Sequence, residues 1–321
     1  MNLTVSSSPH IKGNDSTRRI MRDVVLAALP ALIFGIVHFG VRALLVTLST
    51  VAAALAAEWF SNRVIFHDGR AMDGSALVTG VLLAMTLPAT VPYWMAALGA
   101  VVAIVAVKAL CGGLGQNVFN PALGARALLV LLFPASMVRF SSVSSLVNGM
   151  DAVTAATPLH HMVMPALPQE RLWDMFIGNI PGCIGEVSSL ALLLGGAYLL
   201  VRRVISPRIP VAYLLTVAVL TLVFSKTGDP VMWMLYNLLG GGVLLGAIFM
   251  ATDYATSPAT PGGQVLYGIG CGVLTMLFRS VGLYPEGVTY AILLMNAASW
   301  LLESFTPTRL FGAPQRKGGL R

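Results

Sequence analysis

Asp151, Thr154, Ala156 and Thr157, within the stretch DAVTAATPLHH, bring an acidic residue, two hydroxyls and small spacers close together. Pro158 follows Thr157 and biases it away from helix toward extended backbone. An extended strip of small residues offers a hydroxyl to a second enzyme more readily than a packed helix does. Thr157 is therefore presented in the loop, with an ordinary Ser/Thr-rich turn as the competing reading. His160 and His161 are adjacent, so they do not share a helix face as two ligands four residues apart would, and no metal site is expected there.

A second group is the charges set in or beside apolar runs: Glu58, Asp73, Glu186, Asp253, Arg279 and Glu286. A charge at the centre of a membrane helix costs about 2.5–3.5 kcal/mol on insertion scales, so each is a functional candidate. All six fall at span ends or beside breaks, where a charged residue also caps a helix or snorkels to the interface. Asp253 and Asp73 stand out. Each adjoins a glycine-rich or small-residue stretch whose carbonyls could join a carboxylate around a cation, which makes both ion-coupling candidates. His38 reads as a hydrogen-bonded packing residue. Cys111, Cys183 and Cys271 are scattered without a CxxC pair, which argues against an iron–sulfur or zinc site held by this chain alone. GGLGQN breaks the GxGxxG pattern and no Walker A sequence occurs, so dinucleotide or nucleoside-triphosphate binding is unsupported. No catalytic residue is assigned.

The elements that carry these residues follow from composition. The chain is 56% hydrophobic and only 10% charged, with a mean hydropathy of +0.80. That is the composition of an integral membrane protein, since soluble domains carry about a quarter charged residues. Ten apolar segments can be read, near Val24–Phe39, Ala43–Phe60, Ala76–Pro88, Trp94–Leu110, Ala122–Val138, Ile184–Val201, Ile209–Phe224, Val231–Met250, Gln264–Leu283 and Gly287–Leu302. The expected fold is an all-α polytopic membrane protein of about ten transmembrane helices. Gly/Pro-rich breaks near CGGLGQNVFNPALG and near NLLGGGVLLG suggest two inverted five-helix repeats, because irregular backbone at membrane depth needs protein or a cavity around it.

With the amino terminus inside, Arg42, Arg139, Arg171, Lys226 and Arg279 are the five of 20 Lys and Arg residues that fall outside. This positive-inside bias sets the orientation. The division expected is a cytoplasmic segment 1–23, a first membrane half 24–138, an extracytoplasmic loop 139–183, a second membrane half 184–303 and a basic cytoplasmic tail 304–321. The net charge of +7 reflects topology-setting residues, not nucleic-acid binding. The first 20 residues lack the apolar core of a secretory signal.

Asp151, Thr154, Ala156 and Thr157 also fit D-x-x-[S/T]-x-A-T, which resembles the acceptor motif of bacterial flavin transferases, enzymes that move FMN from FAD onto a threonine hydroxyl. Two longer runs extend the resemblance. GAIFMATDYATSPATPGGQVLYGIG, continuing to YPEG, and DGSALVTGVLLAMTLP with GGLGQNVFNPA resemble the RnfD family, a membrane component of the Rnf electron transport complex. They are similar, more distantly, to the NqrB component of the sodium-pumping NADH:quinone oxidoreductase. The resemblance implies a multisubunit ferredoxin:NAD+ oxidoreductase of the bacterial inner membrane, coupled to Na+ or H+ movement. It also implies FMN joined to Thr157 by a phosphodiester, a flavin transferase acting outside the cytoplasm, other Rnf subunits as partners and lipid around the helices. Non-covalent riboflavin is a further family cofactor, with no residue here assigned to it. Activity of the chain alone is not expected. Many relatives have Gly where Ala155 stands, a small-for-small change. A non-redox secondary transporter or channel would share the broken helices, and the flavin motif with the family-like runs weighs against it.

Overall fold

The computed structural model describes residues 16–64, 73–141, 154–155, 167–168, 170–281 and 287–307. Ser16 opens the first helix, its Oγ accepting the Arg19 amide at 3.3 Å and so satisfying one of the free N–H groups at a helix start. Helix α1, Thr17–Phe39, ends at Gly40, whose φ of +74° is the left-handed conformation that glycine tolerates. Helix α2 spans Val41–Val64 and α3 spans Ser75–Thr86. Helix α4, Tyr93–Val101, runs on as a π-helical stretch, Val102–Ala109. Asn120 then starts α5, Pro121–Leu132, by accepting the Ala122 and Leu123 amides at 3.0 and 3.3 Å. Pro121 sits at its first turn, where its missing N–H costs nothing.

A short helix α6, Pro134–Met137, leads to strand β1, Phe140–Ser141, which pairs antiparallel with β2, Thr154–Ala155. Helix α7, Leu172–Ile177, precedes the second set: α8, Ser189–Val201; α9, Arg208–Val223; α10, Pro230–Leu239; and α11, Val243–Leu245, continued by a π-helical turn Gly246–Met250. Helices α12, Pro261–Val281, α13, Val288–Ala297, and α14, Ser299–Phe305, complete the described chain.

Each expected apolar segment contains helix among its described residues. Among the described residues, three helices are long and apolar enough to cross a membrane, Thr17–Phe39, Val41–Val64 and Pro261–Ser280. Up to five cross if Pro230–Leu239 with Val243–Met250, bent by 60°, and Val288–Ala297 with Ser299–Phe305, bent by 54°, each count as one span. The other five apolar helices have 10–17 residues. Their outer faces, with that of α1, expose Val37, Leu131, Val201 and Val223, the side chains expected against hydrocarbon.

Three boundaries differ from the sequence reading. Ala122–Val138 is not one helix: Pro134 cannot donate its amide and Phe133 breaks the run. Val231–Met250 bends at Gly240–Gly242. Ile184–Val201 is helical only from Ser189. The residues before it, Cys183–Val187, form buried non-helical backbone laid along the end of α3, with Ile184 N donating to Leu87 O at 3.0 Å and Gly185 N to Met85 O at 2.8 Å. The far end of the loop expected outside therefore dips into the core. Its amides find carbonyls there, as irregular backbone away from water must.

Close helix crossings depend on glycine. A Cβ on Gly195 of α8 would stand 2.1 Å from the Ala27 carbonyl oxygen of α1, and α1 and α8 join the two halves. Asp23 and Arg202 clamp the same pair of helices at 3.0 Å.

Candidate functional site

A cavity of about 80 Å³, room for a handful of water molecules, lies between the two halves. The first half contributes Ser75 and Thr79 from α3, Lys108 from the π-helical end of α4, and Asn117 and Asn120 from the glycine-rich break. The second half contributes Phe249, Thr252, Asp253 and Tyr254. Asn120 holds the two breaks together, its Nδ2 donating to Met250 O at 3.2 Å. Asp253 is partly buried, and burial pushes its carboxyl above the ordinary value even though Thr256 Oγ1 donates to Oδ2 at 3.2 Å.

Behind the first-half wall is a polar cluster. Lys108 Nζ donates to Glu58 Oε1 at 2.6 Å and to Ser75 Oγ. Ser75 Oγ in turn donates to Asp73 Oδ1, which also caps α3 by accepting the Ser75 amide at 2.8 Å. Glu58 and Lys108 are only 5% and 7% exposed, too deep for snorkelling to the interface. One ammonium stands against two carboxylates. The two ion-coupling candidates are thus placed differently: Asp253 lines the cavity directly, and Asp73 reaches it through Ser75 and Lys108.

The opposite charge-bearing break is built otherwise. Arg279, buried on α12, donates to Asn237 O at 2.7 Å and Gly240 O at 2.9 Å, the carbonyls at the end of α10. These are acceptors that a helix end leaves open, and a cation suits the negative pole of the helix. Glu186 Oε1 accepts the Cys183 amide at 3.1 Å, and a Cβ on Gly242 would meet its Oε2 at 2.8 Å. Arg126 approaches Cys183 Sγ at 3.7 Å. Arg42 donates to Thr90 O and Thr90 to Arg139 O, so two arginines assigned to the outside share one end of the molecule.

Of the loop residues, Thr154 lies in β2, where the backbone is extended and paired to β1. Asp151, Ala156, Thr157, His160, His161 and Glu286 lie outside the described residues.

Comparison with known proteins supplies the relationship. The NQR2, RnfD, RnfE family pattern matches residues 4–312. The D component of the Na+-translocating ferredoxin:NAD+ oxidoreductase complex from Acetobacterium woodii is 46% identical over 99% of this chain and 98% of its own. Its counterpart in the proton-translocating complex from Clostridium ljungdahlii is 43% identical over 97% and 96%, and that of an ion-translocating oxidoreductase complex from Halorhodospira halophila is 37% identical over 95% and 94%. The chain belongs to the NQR2, RnfD, RnfE family.

In this family member, three residues of the interior carry roles that composition and spacing do not reveal. Lys108 and Arg126 read as topology-setting basic residues, and both are buried. Lys108 ends the apolar run VVAIVAVKAL, where positive-inside counting treats it like any lysine near a span end. Asn120, inside GQNVFNPA, carries the helix-start signal of Asn before Pro, but nothing local points to its partner Met250, 130 residues away.

Proposed function

We propose that this chain is the RnfD-type membrane component of an ion-translocating ferredoxin:NAD+ oxidoreductase complex, with FMN covalently held at Thr157. The single observation that carries this is similarity along the whole length to components of such complexes, 46% identical over 99% of the chain. In this reading all ten apolar segments cross the membrane as two inverted five-helix halves of a bacterial inner-membrane protein. Both termini face the cytoplasm and the Asp151–Thr157 motif faces outward.

FMN supplies the electron-carrying chemistry when bound. The chain's own part is positional. Asp151, Thr154 and Ala156 form the strip that a flavin transferase recognises, and the Thr157 hydroxyl is the acceptor. A phosphodiester anchor makes the flavin a fixture of the loop, so its meeting with partner subunits becomes intramolecular at high effective concentration. Non-covalent riboflavin belongs to the same proposal for the assembled complex, without residues of this chain assigned.

Ion coupling is assigned to the cavity. Asp253 on one wall and the Asp73–Ser75–Lys108–Glu58 cluster on the other belong to different halves, so a small relative movement of the halves changes what a Na+ or H+ in the cavity meets. Neutralising both Asp253 and Asp73 is expected to abolish ion movement per electron, and unchanged coupling would remove this assignment.

The test of the central proposal is a denaturing gel of the purified protein viewed under ultraviolet light. Flavin fluorescence should travel with the wild-type band. It should vanish in Thr157→Ala or in a host lacking the flavin transferase. A dark wild-type band from a competent host would favour the non-redox transporter, which broken helices around a cavity also suit.

A further inference from the structure

We propose that Lys108 is a tethered cation that keeps the place of the transported ion at Glu58 and crosses the cavity to Asp253 when that ion arrives. This rests on the ion-coupling role proposed above and specifies how the site is kept filled. Three observations carry it. First, Glu58 Oε1 is held by Lys108, while Glu58 Oε2, in a side chain 5% exposed, is buried without a hydrogen-bond partner among the described residues. Second, Ser61 Oγ, one helical turn further along the same face of α2 and 2% exposed, is likewise buried without a partner among them. Buried oxygens of native proteins are rarely left this way, and two together describe coordination that a small monovalent cation or a proton would complete. Third, the cluster counts Glu58 and Asp73 against Lys108, two carboxylates and one ammonium, so it has one negative charge to spare.

Lys108 also lines the cavity, whose other wall carries Asp253. Lysine suits a moving role: it is a compact charge on a flexible stem, unlike the forked guanidinium of Arg279. The step balances in charge. An entering cation binds Glu58 with the oxygens of Ser61 and Ser75, the ammonium leaves Glu58, and it pairs with Asp253 through the water the cavity can hold. The incoming positive charge is thus matched by the Asp253 carboxylate, which the ammonium neutralises, and after the exchange neither Glu58 nor Asp253 stands without a cation. Because one carboxylate lies on each half, this exchange ties cation entry to how the halves sit.

The experiment uses the assembled complex in inside-out vesicles, measuring ferredoxin-dependent NAD+ reduction and cation uptake. Na+ is varied at fixed pH, and pH at fixed Na+, to identify the ion. Lys108→Gln keeps hydrogen bonding to Glu58 and Ser75 but removes the competing charge. Half-saturation by the cation should move at least tenfold lower. Asp253→Asn removes the landing place and should move it at least tenfold higher. A purely structural lysine would lower the amount of complex and leave half-saturation where it was. Half-saturation within twofold of wild type in either assembled variant, or shifts of the same sign in both, overturns the proposal. A wild-type complex that moves no cation with its electrons would instead overturn the ion-coupling assignment itself.

Discussion

Two buried cations of this protein, Lys108 and Arg279, sit beside glycine-rich breaks in different halves and are satisfied in different ways. Lys108 is held by a carboxylate and a hydroxyl at the edge of a cavity. Arg279 is held by backbone carbonyls of Asn237 and Gly240 and does not line that cavity. A carboxylate can exchange one cation for another, because its charge needs a partner and not a particular one. Carbonyls at a helix end need donors aimed at fixed points, which a planar guanidinium supplies and a mobile ion does not. The first arrangement is suited to exchange and the second to sealing.

The contrast breaks most readily at Arg279. Arg279→Met strands the Asn237 and Gly240 carbonyls in a water-poor site. At about 1–3 kcal/mol for each orphaned group and more for the lost charged donors, the cost is on the order of 4 kcal/mol. The complex should assemble poorly and inactivate at distinctly lower temperature, while whatever assembles keeps wild-type half-saturation by the cation. A shifted cation response there would place exchange at the wrong end.

Lys108→Met comes next. Removing one member of a buried ion pair costs about 3–5 kcal/mol, and cavity water should hold this case to the lower end, about 3 kcal/mol. Combining it with Glu58→Leu removes both charges and should recover most of that loss, since apolar pairs replace buried ion pairs with little penalty. Thermal inactivation midpoints of the two single variants and the double variant measure the coupling. If the single costs simply add, Glu58 and Lys108 do not depend on each other.

Away from the charges, Gly195→Ala pushes a methyl group against the Ala27 carbonyl, where the approach is side chain to backbone and cannot be relieved by a rotamer. Overpacking of this kind costs about 1–3 kcal/mol. Because it acts on the seam between halves, the melting temperature should fall without a change in half-saturation by the cation.

How much of this is legible in the sequence varies with the range of the interaction. The ten apolar segments are legible because hydropathy is local, and Asn120 and Pro121 announce their own helix start. Pro134 and Gly240–Gly242 are visible as breaks, yet the 60° bend depends on what α10 and α11 pack against. The burial of Cys183–Val187 is not legible at all: its partners are the carbonyls of Met85 and Leu87, about a hundred residues earlier in the chain. Asp253 stands out from its small-residue surroundings and does line the cavity. Lys108 does not, because positive-inside counting treats every lysine near a span end alike, and only the long-range partner Glu58 separates a buried ammonium from an interfacial one. The family-like runs carry what geometry does not, since Thr157 belongs to a loop whose proposed chemistry is completed by another enzyme.

The smallest expected effect returns to Asp253. Burial raises its carboxyl in the folded protein above the ordinary value that it has in the unfolded chain. The folded state therefore binds this proton more tightly, so its contribution to stability is complete below the ordinary carboxylate range and is lost as pH rises through the raised value. At neutral pH the folded protein bears the cost of that raised carboxyl, moderated by the Ala255 backbone and Thr256 hydrogen bonds and by solvent at this partly buried position. Asp253→Asn removes that cost and should raise the thermal midpoint slightly at neutral pH, by less than about 1 kcal/mol in stability. The difference between variant and wild type should close on acidification below the ordinary carboxylate range. Thermal midpoints across that interval, in detergent and without added cation, measure it. A difference of the opposite sign at neutral pH would mean that Asp253 is stabilised as the anion, which is the state expected only with a cation already beside it, and the exchange end would then be resting with Lys108 on the Asp253 wall instead of on Glu58.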